Sequence, residues 1–164
     1  MKRILIAVLL LVSLQTIAQD YDTVPAYKKN PNIPTFQVQL IDSSFFTDAD
    51  IPKGKPVIIT YFNPECGHCQ MEAKEISDHL DRFKNAFLLF VSYQPMDQIK
   101  GFAQQFKMDL QPNIRFARDK NYFLPGYYRV EFTPYNALYD KNGKFVRVYP
   151  TGMDIKEVTD WLKQ

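Results

Sequence analysis

Two uninterrupted apolar runs in the middle of the chain predict strands that are buried on both faces. Residues 57–62 read Val-Ile-Ile-Thr-Tyr-Phe, and residues 86–91 read Ala-Phe-Leu-Leu-Phe-Val. Neither run alternates with polar residues, as a strand with one face in water does. Residues 36–40, Phe-Gln-Val-Gln-Leu, do alternate and predict a half-buried strand at the start of the fold.

The last third of the chain predicts a β-hairpin. A short strand is expected at 114–117, followed by an aromatic, helical stretch at 122–128. Residues 135–139 and 144–149 then flank the sequence Asp-Lys-Asn-Gly, whose asparagine and glycine favour a tight turn between antiparallel strands.

Three segments carry apolar residues at the spacing of an amphipathic helix. The first begins at the cysteines and turns inward Cys69, Ala73, Ile76, Leu80 and Phe83. The second opens with Pro95 and turns inward Ile99, Phe102 and Phe106. The third begins at Asp154, an expected N-cap, and turns inward Ile155, Val158, Trp161 and Leu162.

Strands that alternate with helices and end in a hairpin plus a helix predict an α/β fold, a mixed central sheet with helices on both faces. Residues 35–164 are expected to form one domain, because this length can bury a substantial core. Residues 19–34 hold several prolines and no hydrophobic period, so they predict an extended lead-in. We expect the domain to be a monomer.

The first residues predict export. Lys2 and Arg3 precede an apolar run, and Thr16 and Ala18 supply small residues before an expected cleavage after Ala18, so 1–18 is interpreted as a signal peptide. The alternative is a membrane anchor, but an apolar run of about a dozen residues falls short of the roughly 20 that span a bilayer. The expected location is the periplasm or cell envelope.

Charge excludes one class of partner. Cleavage would remove Lys2 and Arg3 from the 20 basic residues, leaving 18 against 18 acidic residues. A formally neutral domain lacks the basic face that binding to nucleic acid requires.

The chain has only two cysteines, in the sequence Cys66-Gly67-His68-Cys69 at a predicted strand-to-helix junction. A disulfide that closes so short a loop adds little stability, so we expect the pair to open and close as a redox couple. Unpaired N–H groups and the helix dipole favour the thiolate at the first cysteine, which makes Cys66 the expected nucleophile and Cys69 the resolving thiol.

These elements, with Thr133-Pro134 before the hairpin, resemble the thioredoxin superfamily and within it the TlpA/ResA-like exported proteins. The resemblance implies that Pro134 follows a cis peptide bond and faces the cysteines, and that the backbone at Thr133 pairs with substrate. It also implies that Glu72 is the base for Cys69. Thr60 stands where cytoplasmic thioredoxins carry a buried acid, which adds weight to Glu72; an ordinary surface glutamate is the alternative.

Four further residues border the expected site. His68 stabilises a Cys66 thiolate and raises the reduction potential, whereas a carboxylate at Glu65 opposes it, and the net effect stays open. The Gly67-His68 dipeptide also occurs in disulfide isomerases. Phe132 stands where the family commonly has glycine, so its ring is expected to narrow the substrate groove or pack beside it.

Competing chemistries fit less well. Zinc needs four ligands in a structural site, and His79 lies about 15 Å along the helix from Cys69, so no metal is expected. A peroxiredoxin would show proline and a hydroxyl residue where this chain has Ile59 and Asn63. A binding module with a regulatory disulfide stays open, its candidate surface being Tyr122, Phe123, Tyr127, Tyr128, Phe132 and Tyr135.

The sequence therefore predicts a thiol-disulfide oxidoreductase, most simply a reductase, with an oxidase or isomerase as the alternative. No soluble cofactor is expected. The expected partners are disulfide-containing envelope proteins and, for a reductase, a membrane-embedded electron donor, because an oxidising compartment supplies no thiol reductant of its own.

Overall fold

A seven-stranded mixed sheet forms the centre of the computed structural model, which describes residues 24–164. The predicted signal peptide at 1–18 and residues 19–23 of the lead-in lie outside the described residues. The strands are β1 (Gln37–Leu40), β2 (Phe45–Thr47), β3 (Val57–Tyr61), β4 (Phe87–Ser92), β5 (Ile114–Arg118), β6 (Tyr135–Tyr139) and β7 (Phe145–Tyr149). Their spatial order is β2-β1-β5-β4-β3-β6-β7.

The centre of the sheet is parallel and its two edges are antiparallel. Strand β4 pairs in parallel with β3 and β5, whereas β1 and β2 on one side and β6 and β7 on the other run antiparallel to their neighbours. Every residue of β3, β4 and β6 is buried, as the uninterrupted apolar runs predict.

Helices cover both faces, which confirms the predicted α/β architecture. They are α1 (Ala26–Lys29), α2 (Gly67–Asp78), α3 (Leu80–Phe83), α4 (Met96–Gln105), α5 (Phe123–Tyr128) and α6 (Ile155–Trp161). The core on one side of the sheet includes inward residues of α2, α4 and α6, and the core on the other side includes those of α1 and α5. Among the helices within 24–164, none has the length and hydrophobicity needed to cross a membrane.

The helix predicted to run from the cysteines to Phe83 is in fact broken at His79. The backbone there leaves the helical region at φ −129° and ψ 30°, and α3 begins at Leu80. The imidazole Nδ1 of His79 lies 2.9 Å from the carbonyl of Glu75, the group that the His79 amide would reach in a continuous helix. The side chain thus competes with the backbone for this acceptor.

Two short elements escaped the sequence interpretation. Strand β2 follows a turn in which Asp42 accepts bonds from the Ser44 amide and hydroxyl, and it pairs with β1. The lead-in contains the single helical turn α1, whose Tyr27 is buried against Tyr128 and Phe145. A lone tyrosine in a proline-rich segment shows no period, so only the tertiary contact reveals it.

The cap of α6 gives a direct stability test. The carboxylate of Asp154 accepts the Glu157 amide at 2.9 Å. We expect Asp154→Ala to lower the free energy of unfolding by about 1 kcal/mol in a denaturant titration, because a helix N–H loses its partner. The control is Asp78→Ala, which removes only an exposed pair with Lys74 and should cost less than about 0.5 kcal/mol. Equal losses in the two variants would argue against the cap.

Candidate active site

Cys66 lies at the N-cap of α2, directly after the loop that leaves β3. It is half-buried, and its Sγ lies 3.4 Å from the backbone carbonyl of Thr133, which accepts from the thiol. The loop is held in place because the Cys66 amide donates to Asn63 and the Phe62 amide donates to Val91 on β4. The predicted junction of strand and helix is therefore confirmed, with one sulfur at its surface.

Several groups act on the pKa of the Cys66 thiol. Partial burial raises it, but hydrogen bonds with the amide and side chain of Cys69, with the side chain of Thr133 and with the amide of His68 outweigh burial and lower the pKa overall. The amides belong to the first turn of α2, where N–H groups lack partners within the helix. Cys66 is thus the sulfur that ionises more readily.

Cys69 has the opposite environment. It is 2% exposed, and its Sγ accepts a weak bond from the amide of Asn63 at 3.5 Å. Burial raises the pKa of this thiol to about 12. The two thiols at the N-terminus of α2 therefore differ in burial. Cys66 is accessible and has a lowered pKa, whereas Cys69 is enclosed and stays protonated.

The peptide bond between Thr133 and Pro134 is cis, as predicted. The Thr133 carbonyl lies beside Cys66, and Pro134 directly precedes β6. The preceding Phe132 is 64% exposed, so its ring stands in solvent rather than packing into the core. The structure thus brings the predicted substrate segment and the sulfur of the predicted nucleophile together.

Glu72 is buried, which rules out the alternative of an ordinary surface glutamate. Only 7% of the residue is exposed, and its carboxylate accepts bonds from the amide of Met153 at 2.7 Å and from the Asn136 side chain at 3.1 and 3.0 Å. Burial raises the pKa of Glu72 to about 7, although these hydrogen bonds oppose the shift. Glu72 follows Cys69 by three residues on the buried face of α2.

The sequence interpretation did not identify the partners of Glu72. Asn136 is fully buried in β6 and accepts the hydroxyl of Thr60 on neighbouring β3 at 2.7 Å. Gly152, at φ +108°, has no side chain, and a Cβ there would lie 3.4 Å from Glu72 Oε2 and 3.7 Å from Pro134. A signal for Asn136 was present, since it is a polar residue in an otherwise apolar strand.

The predicted tuning residues lie on the rim of the site. The side chains of Glu65 and His68 are exposed, and His68 contributes its backbone amide to Cys66. Gly67 begins α2, and a Cβ there would meet nothing within 4 Å, so the backbone does not need glycine at this position. The effects of these three residues on the redox couple stay predictions.

The described residues 24–164 contain no group of three or more His, Cys, Asp or Glu side chains arranged to hold a metal ion. His79 ends α2, whereas Cys66 precedes its first residue. The cysteines and this histidine therefore lie at opposite ends of one helix.

An enclosed thiol, an accessible thiol and a cis-proline facing them on a mixed α/β sheet define a thioredoxin-like site. The family model for the thioredoxin-like domain matches residues 49–164, so the chain belongs to this family. The predicted thioredoxin-like fold is confirmed. Comparison with curated protein sequences finds no match.

Solved structures share the fold at low sequence identity. A secreted Mycobacterium tuberculosis disulfide oxidoreductase homologous to E. coli DsbE is 16% identical, with a TM-score of 0.66 over 78% of this chain and 94% of its own. An exposed lipoprotein thioredoxin from Streptococcus pneumoniae is 23% identical, with a TM-score of 0.58 over 79% and 98%. Copper-bound ScoI from Arabidopsis thaliana is 17% identical, with a TM-score of 0.63 over 79% and 94%.

Proposed function

We propose that the protein is a thiol-disulfide oxidoreductase that reduces disulfides in proteins of the cell envelope. The observation that carries the proposal is the asymmetry of the thiol pair: Cys66 is half-exposed with a lowered pKa, and Cys69 is enclosed with a raised one. A two-step exchange requires this difference, because one sulfur must attack the substrate first and the other must react only after the mixed disulfide has formed.

The first step is attack on the substrate. The Cys66 thiolate attacks one sulfur of a substrate disulfide, a bond forms between the two, and the second substrate sulfur leaves as a thiolate that takes up a proton from water. The extended substrate segment pairs with the backbone at Thr133. Pro134 has no N–H group, so it adds no hydrogen-bond donor that would compete in this pairing. The Thr133 carbonyl already lies 3.4 Å from Cys66 Sγ.

The second step is resolution. Glu72 accepts the Cys69 proton, and the Cys69 thiolate attacks Cys66 Sγ, so that the substrate leaves as its second thiolate and the Cys66–Cys69 disulfide forms. Two electrons have then passed from the protein to the substrate. A Glu72 pKa of about 7 suits this task, since the group exchanges protons near neutral pH.

Two observations support reduction over oxidation. An oxidant needs a strongly stabilised thiolate, but the pKa of Cys66 is lowered by hydrogen bonds alone, against the effect of burial, and no lysine or arginine is among the described groups that shift it. His68 adds only its backbone amide. A reductase in an oxidising compartment is regenerated by a dithiol donor, which we place in the membrane.

The proposed location rests on the sequence and on relatives. The segment 1–18 has the charge and hydrophobicity of a signal peptide, and the related M. tuberculosis and S. pneumoniae proteins are described as secreted and exposed. We propose export to the periplasm or cell envelope on these grounds.

A trapping experiment tests the proposal. In cells that express Cys69→Ser, the first step proceeds and the second cannot, so envelope proteins should accumulate as mixed disulfides with Cys66. A Cys66→Ser, Cys69→Ser double variant is the control. The proposal fails if the single variant traps no more protein than the double variant does. The trapped proteins can then be compared in cells with and without the wild-type protein. If the wild-type protein oxidises their cysteines instead of reducing them, the protein is an oxidase.

Phe132 is expected to restrict which substrates are accepted. Its exposed ring stands next to the segment that pairs with substrate, so it excludes bulky neighbours of the target disulfide. We expect Phe132→Gly to raise kcat/KM for bulky disulfide substrates by about 10-fold relative to a small one, the lower end of the effect of one methylene group in a pocket. Turnover of a disulfide panel measures this, with exposed Phe45→Gly on β2 as the control. Parallel changes across the panel would contradict the prediction.

A further inference from the structure

A buried chain of hydrogen bonds runs from β3 through β6 to the carboxylate on α2. The Thr60 hydroxyl donates to Asn136 Oδ1 at 2.7 Å, and Asn136 Nδ2 reaches both oxygens of Glu72 at 3.1 and 3.0 Å. Thr60 and Asn136 are 1% and 0% exposed, so water does not replace these bonds. An asparagine in the middle of an apolar strand is costly unless both ends of its amide are satisfied.

The orientation of the Asn136 amide follows from its two neighbours. A carboxylate only accepts hydrogen bonds, so an ionised Glu72 requires the NH₂ group to face it. The Thr60 hydroxyl then donates to Oδ1. When Glu72 carries a proton, it has a donor of its own, and a rotated amide accepts from it through Oδ1 while Nδ2 donates to the Thr60 hydroxyl. A hydroxyl at position 60 therefore pairs with the amide in both states.

We propose that Asn136, oriented by Thr60, is the positioning residue that lets Glu72 both accept and release a proton while buried. This inference rests on the proposed role of Glu72 as the base for Cys69. Asn136 holds the charged carboxylate by two contacts, and the Met153 amide fixes one oxygen from the other side at 2.7 Å. Thr60 on β3 allows the Asn136 amide to serve Glu72, because an acidic side chain at position 60 would compete with Glu72 for the N–H groups of that amide.

Few charged groups lie near Glu72 among the described residues. Its own helix presents the Cys69 thiol one turn before and Glu75 one turn after, and the charge of Glu75 opposes ionisation of Glu72. Strands β3 and β6 present the uncharged Thr60 and Asn136, and the loop before α6 presents the backbone of Gly152 and Met153. The amide of Asn136 is thus the main side-chain contact that favours the charged form.

The test measures the rate at which Cys69 resolves a mixed disulfide at Cys66. Fully reduced protein is mixed with excess dithiobis(nitrobenzoate); the first release of nitrothiobenzoate reports attack by Cys66, and the second reports attack by Cys69 on the mixed disulfide. The rate of the second phase is recorded against pH. We expect Asn136→Leu to move the midpoint of this profile upward by ~1 pH unit, since the carboxylate loses its charge-assisted bonds. The first phase should keep its wild-type profile.

Matched variants separate positioning from general damage. Thr60→Val should shift the second-phase midpoint in the same direction, because the amide loses its orienting partner, and Thr60→Ser should restore the wild-type midpoint. Thr159→Val makes the same change at another buried threonine, 1% exposed on α6, and should leave both phases unaltered. If Asn136→Leu does not fold, the threonine pair decides.

Two negative results are distinguishable. If Glu72→Gln removes the pH midpoint but Asn136→Leu and Thr60→Val keep the wild-type value, Glu72 is the base and the positioning role is wrong. If Glu72→Gln leaves the midpoint unchanged, the proposed role of Glu72 itself fails. A shift of both phases together in the Asn136 and Thr60 variants would indicate a general structural effect and would also overturn the inference.

Discussion

Replacing Cys66 with serine is expected to lower disulfide reduction by on the order of 10³-fold or more, because no second thiol can take over its role. With a pKa of about 12, Cys69 is ionised in only about 1 in 10⁵ molecules at pH 7. It is also buried away from substrate. Turnover of a protein disulfide by chemically reduced protein measures the loss.

The matched variant is Cys69→Ser, which should behave differently. It keeps the accessible, acidified thiol, so the first phase with dithiobis(nitrobenzoate) should proceed at the wild-type rate and the second phase should vanish. Retained turnover in Cys66→Ser, or a lost first phase in Cys69→Ser, would reverse the assignment of nucleophile and resolving thiol.

Glu72 is expected to make folding stability depend on pH. Burial raises its pKa from 4.5 in the unfolded chain to about 7, so between these values the folded state holds a proton that the unfolded state has lost. The stabilising contribution is complete below about pH 4.5 and disappears as the pH rises through about 7. At 1.36 kcal/mol per pKa unit, the unfolding free energy should fall by ~3 kcal/mol across this window.

Glu72→Gln isolates this contribution. Denaturant unfolding of the reduced protein at about pH 5 and about pH 8 should show a difference between wild type and Glu72→Gln that changes by roughly 2 to 3 kcal/mol, slightly less than the full effect because pH 5 lies inside the window. The control is Glu75→Gln, an exposed glutamate on the same helix, whose difference from wild type should change little with pH. A pH-independent difference for Glu72→Gln would show that the buried carboxyl has an ordinary pKa.

The sequence predicts the fold well where the hydrophobic pattern is continuous. The runs in β3 and β4 and the turn sequence before β7 specify their strands without tertiary information, and the spacing around Cys69 predicts the buried face of α2. The break at His79 is not visible in that spacing, because it depends on a bond between one imidazole and one carbonyl. Strand β2 is short and pairs at an edge, so it carries little periodic signal.

Some residues of the candidate site can be predicted from the sequence, and others depend on tertiary contacts. The cysteines, Thr133 and Pro134 follow from a local motif and its resemblance, and the structure brings them together. The environment of Glu72 does not follow, since Asn136 lies 64 residues and Met153 lies 81 residues further along the chain. Contacts of this kind depend on how β6 and the loop before α6 pack against α2, which no local pattern encodes.

The reduction potential of the Cys66–Cys69 couple tests the proposed reductase most directly. It is measured on protein without residues 1–18, equilibrated with defined thiol-disulfide buffers. Because the Cys66 thiolate is favoured only by hydrogen bonds and burial opposes it, we expect a value near that of thioredoxin, about −270 mV. A value of about −120 to −180 mV would contradict reduction and identify an oxidase or isomerase.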